Sequence, residues 1–183
     1  MSWRGFYALE VAKPLAKELK LYLQRFAKIP GVNWVNERNL HITLLFMAEA
    51  PFEKMEEMKQ LCLDLGEEFE PVTLKCSGIE LFPAREPRLV WVKLESESDG
   101  IHQLHKTLQK RCKHMDLAFD KKPLRLHITL GRIKRQIPAH LEREIMQTEL
   151  SDEALIYDTL SLYRSQLSPQ GPRYNILEQS KLQ

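Results

Sequence analysis

The chain has 183 residues, 43% of them hydrophobic and 28% charged, and a formal net charge of +2. This length suits one domain or two small lobes that share a core, and the weak positive charge does not indicate a nucleic-acid-binding surface, although it is compatible with a phosphate-bearing ligand. The three cysteines have no CxxC spacing, no apolar run is long enough to cross a membrane, and the N-terminal apolar run is too short for a signal peptide, so we expect a cytoplasmic protein without a membrane partner.

The hydrophobic pattern predicts strands and helices that interleave along the chain. In chain order these are a strand at 4–11, a helix at 15–29, a segment at 32–35 that leads into a second strand at 39–47, a helix at 51–69, strands at 72–82 and 88–95, a helix at 99–115, a strand at 126–133, a helix at 138–149, and strands at 154–167 and 173–180. The strand pairs at 72–95 and 154–180 are hairpin-like. We therefore predict an α+β fold over residues 1–183, a single domain of two lobes with mostly antiparallel sheets and helices outside.

The pentapeptide Leu-His-Ile-Thr-Leu occurs twice, at Leu40–Leu44 and at Leu126–Leu130. With six histidines and six threonines in 183 residues, two identical His-x-Thr pentapeptides indicate a duplicated unit. Each half of the chain carries such a strand, a helix and a strand pair. We expect lobes related by a pseudo-two-fold axis, with both His/Thr pairs facing a central groove.

In a regular strand the side chains of His41, Thr43 and Leu45 share one face, and Phe46 points to the opposite, core face. His127 and Thr129 share a face in the same way. Two imidazoles suit the hydrolysis of a phosphodiester, because one neutral ring can remove a proton from water while a protonated ring delivers one to the leaving oxygen. Threonine hydroxyls are suitable donors to phosphate oxygens. The symmetric motifs do not assign the two roles.

A single His-x-Thr pair on a strand usually has no function, and it is the repetition that favours a shared site. We expect the other four histidines, His102, His105, His114 and His140, to be solvated at the surface. His102 and His105 come nearest to metal-ligand spacing, but no carboxylate lies at a suitable offset. We expect neither a metal nor another cofactor.

The duplicated HxTx motif resembles that of the 2H phosphoesterases. "WVNERNLHITLLF", "GIELFPAREPRLVWVKLE" and "LYRSQLSPQGPRY" further resemble the RNA 2′,3′-cyclic phosphodiesterase branch, also called 2′-5′ RNA ligases, and the resemblance runs from about Phe6 to Leu177. It implies metal-independent opening of RNA 2′,3′-cyclic phosphate ends to 2′-phosphomonoesters. It also implies that His41 is the proton donor, that His127 is the proton acceptor, and that Thr43 and Thr129 bind phosphate.

Arg132 corresponds to a basic residue that often follows the second motif in this family, and it is a candidate phosphate ligand. Regular strand alternation places it opposite His127, so it reaches the groove only if a bulge forms near Gly131. The C-terminal signature contributes Tyr163, Arg164, Arg173 and Tyr174, which suit base stacking or phosphate binding as well as a purely structural role. Phe6, Trp34 and Phe46 are candidate groove aromatics that periodicity does not resolve.

Three functions remain open from the sequence. The first is a cyclic phosphodiesterase acting on RNA termini or small cyclic nucleotides. The second is 2′-5′ RNA ligation or 2′-5′ phosphodiester cleavage by the same histidines. The third is a non-catalytic module that binds RNA termini. We expect a monomer, because a duplicated chain already supplies both half-sites.

Overall fold

The computed structural model describes residues 1–169 and 171–183, and this part of the chain contains nine strands and four α-helices. The strands are β1 (Ser2–Glu10), β2 (Val32–Trp34), β3 (His41–Pro51), β4 (Val72–Phe82), β5 (Leu89–Ser96), β6 (His127–Ile133), β7 (Leu155–Tyr157), β8 (Thr159–Gln166) and β9 (Arg173–Lys181). The helices are α1 (Lys13–Phe26), α2 (Met55–Glu68), α3 (Gly100–His114) and α4 (Ala139–Met146). None of these helices has the length and apolarity needed to cross a membrane.

The strands form two sheets in which neighbouring strands run antiparallel. The first sheet has the order β3-β1-β8-β9, and the second has the order β2-β6-β5-β4-β7. This confirms the predicted α+β class with antiparallel sheets. The strand predicted at 154–167 is wrong in one respect: it divides at Asp158 into β7 and β8, which belong to different sheets.

The two His-x-Thr strands lie in different sheets and contact each other. The first sheet takes β1 and β3 from the start of the chain and β8 and β9 from its last part. Each sheet therefore combines strands from both halves of the sequence. The β4–β5 pair lies beside β6, and the β8–β9 pair completes the sheet of β3.

Helices cover the outer faces of both sheets. Helix α2 packs on β8 and β9, and α3 contacts β3. Helix α1 belongs with the second sheet, because Tyr22 on α1 donates a hydrogen bond to the Ile145 carbonyl of α4, at 3.2 Å, and packs edge-on against Trp34 of β2. Its apolar stripe is buried, as helical periodicity predicts, and consists of Leu15, Leu19, Tyr22, Leu23 and Phe26.

Candidate active site

A β-bulge follows the threonine in each motif. In the β1–β3 pair the register passes from Ala8 opposite Thr43 to Tyr7 opposite Leu45, so that Leu44 is an extra residue on β3. In the β5–β6 pair it passes from Trp91 opposite Thr129 to Val90 opposite Gly131, and Leu130 is extra on β6. The duplicated strands therefore share the same local irregularity as well as the same sequence.

The bulges change which side chains reach the groove. Two consecutive residues, Leu44 and Leu45, are buried on β3, and the strand then resumes with Phe46 on the face of His41 and Thr43. The expectation that Phe46 faces the core is wrong for this reason. The second bulge likewise places exposed Arg132 on the face of His127, as its proposed role in the groove requires.

The two histidines are held in the same way. Nδ1 of His41 lies 2.6 Å from the carbonyl oxygen of Asn39, and Nδ1 of His127 lies 2.8 Å from that of Arg125. A carbonyl only accepts hydrogen bonds, so Nδ1 carries the proton in both rings. In the neutral form Nε2 then holds a lone pair, which leaves it able to take a proton from a bound molecule.

Burial lowers the pKa of both imidazoles. For His41 desolvation outweighs the hydrogen bond to the Asn39 carbonyl, and with the charge of His127 it brings the pKa to about 4. For His127 desolvation is again the largest cause of the lowered pKa. The hydrogen bond to the Arg125 carbonyl raises the pKa, and the charge of the Arg125 side chain lowers it. The two imidazoles are thus close enough to interact electrostatically, and both are neutral near pH 7 in the free protein.

Aromatic rings surround His41. Phe6 stacks on the imidazole at a centroid distance of 4.7 Å, Tyr174 meets it edge-on at 5.4 Å, and Tyr163 lies at 6.1 Å. Phe6 also stacks on Tyr163 at 4.9 Å. Two predicted residues of the C-terminal signature thus come together with the first motif, and we call Phe6, His41, Tyr163 and Tyr174 the His41 cluster.

His127 stands at the end of a different stack. Its ring lies 4.4 Å from that of Trp91, and Trp91 stacks on Phe82 at 4.0 Å. The Arg125 guanidinium covers the other end, 4.9 Å from the Phe82 ring centre. The Trp91 indole N–H donates to Glu80 at 3.3 Å, which fixes the orientation of the ring that supports His127.

Two guanidiniums lie near the His41 cluster. Burial raises the pKa of Tyr174, while the charges of Arg132 and Arg4 lower it, so both arginines are close to this phenol. Arg4 also lies 5.4 Å from the centre of the Phe46 ring. Sequence reasoning missed Arg4, because no local pattern shows that the start of β1 pairs with the far end of β3.

Several other candidates lie elsewhere. Trp34 packs against Tyr22 and Phe26, not in the groove, and within the described residues its indole N–H is buried without a hydrogen-bond partner. The Arg164 guanidinium lies over Phe52, and Arg173 is exposed at the start of β9.

The expectation that His105 is solvated is wrong, because this residue is only 9% exposed on the inner side of α3. Across residues 1–169 and 171–183, no group of three or more histidine, cysteine or acidic side chains is arranged to hold a metal ion.

Comparisons with known proteins identify the family and the fold of the chain. Residues 11–168 match the 2′-5′ RNA ligase superfamily. A protein of Archaeoglobus fulgidus is 30% identical, and the match covers 95% of this chain and 97% of that protein. A protein of Thermotoga maritima is 28% identical, and the match covers 95% of this chain and 92% of that protein. Both relatives are named RNA 2′,3′-cyclic phosphodiesterase. The crystal structure of TT0787 from Thermus thermophilus is 27% identical, with a TM-score of 0.85 over 98% of this chain and 97% of that one. E. coli LigT in its apo form, 20% identical with a TM-score of 0.73 over 98% and 97%, shares the fold.

Proposed function

The chain belongs to the 2′-5′ RNA ligase superfamily, and on this premise we propose that it hydrolyses 2′,3′-cyclic phosphate ends of RNA to 2′-phosphomonoesters. The observation that carries the proposal is the pair of His-x-Thr strands, whose histidines present equivalent Nε2 atoms from two contacting strands. The names of the relatives support the substrate class. The single two-lobed domain, the monomeric state and the cytoplasmic location remain predictions.

In the proposed reaction His127 accepts a proton from water through Nε2, and the water oxygen bonds to phosphorus. The bond from phosphorus to the 3′ oxygen breaks, and His41 gives that oxygen its Nε2 proton. The products are a 2′-phosphate and a 3′-hydroxyl. One proton enters the protein at His127 and one leaves from His41, so exchange with solvent completes the cycle.

His41 must be protonated to act as the acid, although its pKa in the free protein is about 4. A bound phosphodiester carries a negative charge that favours the imidazolium and raises this pKa. The stacked face of Phe6 also stabilises a cationic ring. His41 is thus protonated in the substrate complex, where the leaving oxygen is present to receive the proton.

Thr43 and Thr129 lie on the same faces as their histidines, and we infer that their hydroxyls donate to the non-bridging phosphate oxygens. Arg132 supplies a guanidinium that matches two phosphate oxygens at once. Arg4 adds positive charge from the other sheet. These groups stabilise the negative charge on the non-bridging phosphate oxygens during attack.

The test is a mobility assay on a short RNA ending in a 2′,3′-cyclic phosphate, performed in excess chelator. Wild type is expected to open the ring, whereas His41→Ala and His127→Ala are not. His114→Ala, on the exposed end of α3, is the matched control and should retain activity. Turnover that disappears in chelator would contradict the two-histidine mechanism. RNA binding without turnover by wild type would favour the non-catalytic alternative.

A further inference from the structure

A cavity of about 300 Å³ opens beside His41. It is bounded by the end of β1, by the 3₁₀ turn Glu37–Asn39, and by β8 and β9. The side chains that matter for its chemistry are Glu10, Glu37, Arg38, Tyr163 and Tyr174. Its size is at the lower end of small-molecule sites and matches one ring system better than a longer ligand.

The cavity is continuous with the proposed active site. Leu40, in its wall, precedes His41, and Glu10 is the register partner of His41 across the β1–β3 pair. Tyr163 and Tyr174 belong both to the cavity wall and to the His41 cluster. A group attached to a sugar whose phosphate lies at His41 therefore reaches the cavity without a linker.

We propose that this cavity binds the base of the terminal nucleotide and selects guanine, an inference that rests on the proposed function. Tyr163 and Tyr174 are partly buried, and their rings provide faces on which a base can stack. Stacking accepts any base. The choice of guanine comes from the charged groups.

Glu10 lines the cavity next to Tyr163. Its charge raises the pKa of Tyr163, after burial as the larger cause. Its Oε1 accepts a hydrogen bond from the Gln179 side-chain amide, which holds the carboxylate in place and leaves lone pairs on both oxygens for a ligand. Glu37, in the 3₁₀ turn of the wall, accepts a hydrogen bond from exposed Lys20 at 3.1 Å.

Guanine is the base that complements a carboxylate and a guanidinium together. Its Watson–Crick edge presents the adjacent N1–H and N2–H donors to Glu10, and its O6 and N7 acceptors suit Arg38. Where guanine has its N1–H donor, adenine and cytosine have a ring nitrogen with a lone pair. The carboxylate repels this lone pair. Uracil offers one N–H donor between two carbonyl oxygens, so it satisfies the carboxylate less well.

The experiment compares kcat/KM for the 2′,3′-cyclic monophosphates of guanosine, adenosine, cytidine and uridine. Wild type is expected to favour the guanosine compound over the adenosine compound by about tenfold or more, the discrimination typical of a bidentate base contact. Glu10→Gln should abolish this preference, because its amide can pair with N1 and N6 of adenine. Arg38→Met should weaken turnover of the guanosine compound mainly through KM, with kcat retained. Glu67→Gln on exposed α2 is the control and should leave the ratio unchanged.

The two proposals fail in different ways. If all four compounds are opened with equal kcat/KM, or if Glu10→Gln keeps the guanine preference, the base site is overturned and the hydrolase remains. If neither these compounds nor the RNA with a 2′,3′-cyclic phosphate end is opened, the proposed function fails, and calorimetry with the 2′-phosphates of guanosine and adenosine then tests the base site alone. Equal affinity for these two ligands would overturn it, and tighter binding of the guanosine compound would support it.

Discussion

The surroundings of His41 and of His127 differ much more than the strands that carry them. Both histidines sit on a strand with the same sequence, the same bulge and the same Nδ1 contact to a carbonyl two residues earlier. The third residue after the threonine is Phe46 in one strand and Arg132 in the other. His41 has Phe6 and two tyrosines around it, whereas His127 lies at the end of the stack that contains Trp91.

This difference indicates how a duplicated unit becomes an asymmetric site. The motif strands fix the positions of two equivalent imidazoles, and the neighbouring strands decide what lies around each one. Arg132 of β6 brings a positive charge close to Tyr174, and a cavity opens beside His41. The direction in which a substrate lies across the groove therefore depends on residues outside the motifs.

Removing either histidine should have the largest effect. We expect His41→Ala and His127→Ala each to lower kcat by about 10²- to 10⁴-fold, the usual contribution of one acid–base group. A substrate with sulfur in place of the bridging 3′ oxygen separates the roles, because a thiolate leaves without protonation. Single-turnover rates with this substrate should recover in His41→Ala and stay low in His127→Ala. The reverse pattern would exchange the acid and base assignments.

Replacing Arg132 or Phe46, which occupy equivalent positions in the two motif strands, should have a smaller effect. Arg132→Met is expected to lower kcat/KM by about 10- to 100-fold, as expected for a hydrogen bond to a charged group, while Phe46→Met changes it by less than about fivefold. Arg143→Met, on exposed α4, is the control for a lost positive charge. Steady-state kinetics at constant ionic strength would measure all three. Equal losses of kcat/KM at Arg132 and Phe46 would mean that the difference between these two residues does not matter for catalysis.

The pH dependence should reflect the burial of both rings. Because burial lowers the pKa of each imidazole below its ordinary 6.5, we expect a bell-shaped kcat/KM profile with its optimum on the acid side of that value. The kcat profile should lie at higher pH, since bound phosphate favours the protonated rings. A kcat/KM optimum above pH 7 would contradict this account.

The same burial makes the free energy of unfolding depend on pH. Between pH 6.5 and about 4 the unfolded chain binds a proton at His41 that the folded protein does not, so stability falls as pH falls through this range. Urea unfolding at several pH values measures the slope. His41→Gln should make the slope shallower, and an unchanged slope in this variant would contradict the account.

The smallest effect on catalysis is expected from the second bulge. A Cβ on Gly131 would lie 2.6 Å from a methyl carbon of Val32 and 3.0 Å from the Trp34 ring, whereas the equivalent residue in β3 is Leu45. Gly131→Ala should therefore cost about 1–3 kcal/mol of unfolding free energy, as overpacking usually does, with little change in kcat. Denaturant unfolding measures the loss of stability in Gly131→Ala, and an unchanged unfolding midpoint would contradict the prediction.

The sequence predicted the order of the elements well, because each has a local period of hydrophobic residues. The repeated pentapeptide also identified His41 and His127, which the structure brings together. The faces of Phe46 and Arg132 were not predictable with certainty, since counting alternate residues assumes a regular strand and a bulge depends on the partner strand. Glu10, Arg4 and the cavity could not be found, because they require four segments from distant parts of the chain.

The interleaved first sheet has a consequence for synthesis of the protein. Both histidines have been added once residue 127 is made, yet β8 and β9, which carry Tyr163 and Tyr174, are translated after all the other strands. Until then the edge of β1 that pairs with β8 has no partner strand, and the cavity lacks the side chains that β8 and β9 supply. The His41 cluster therefore cannot assemble before β8 and β9 have been made, so His41 is synthesised long before its aromatic surroundings.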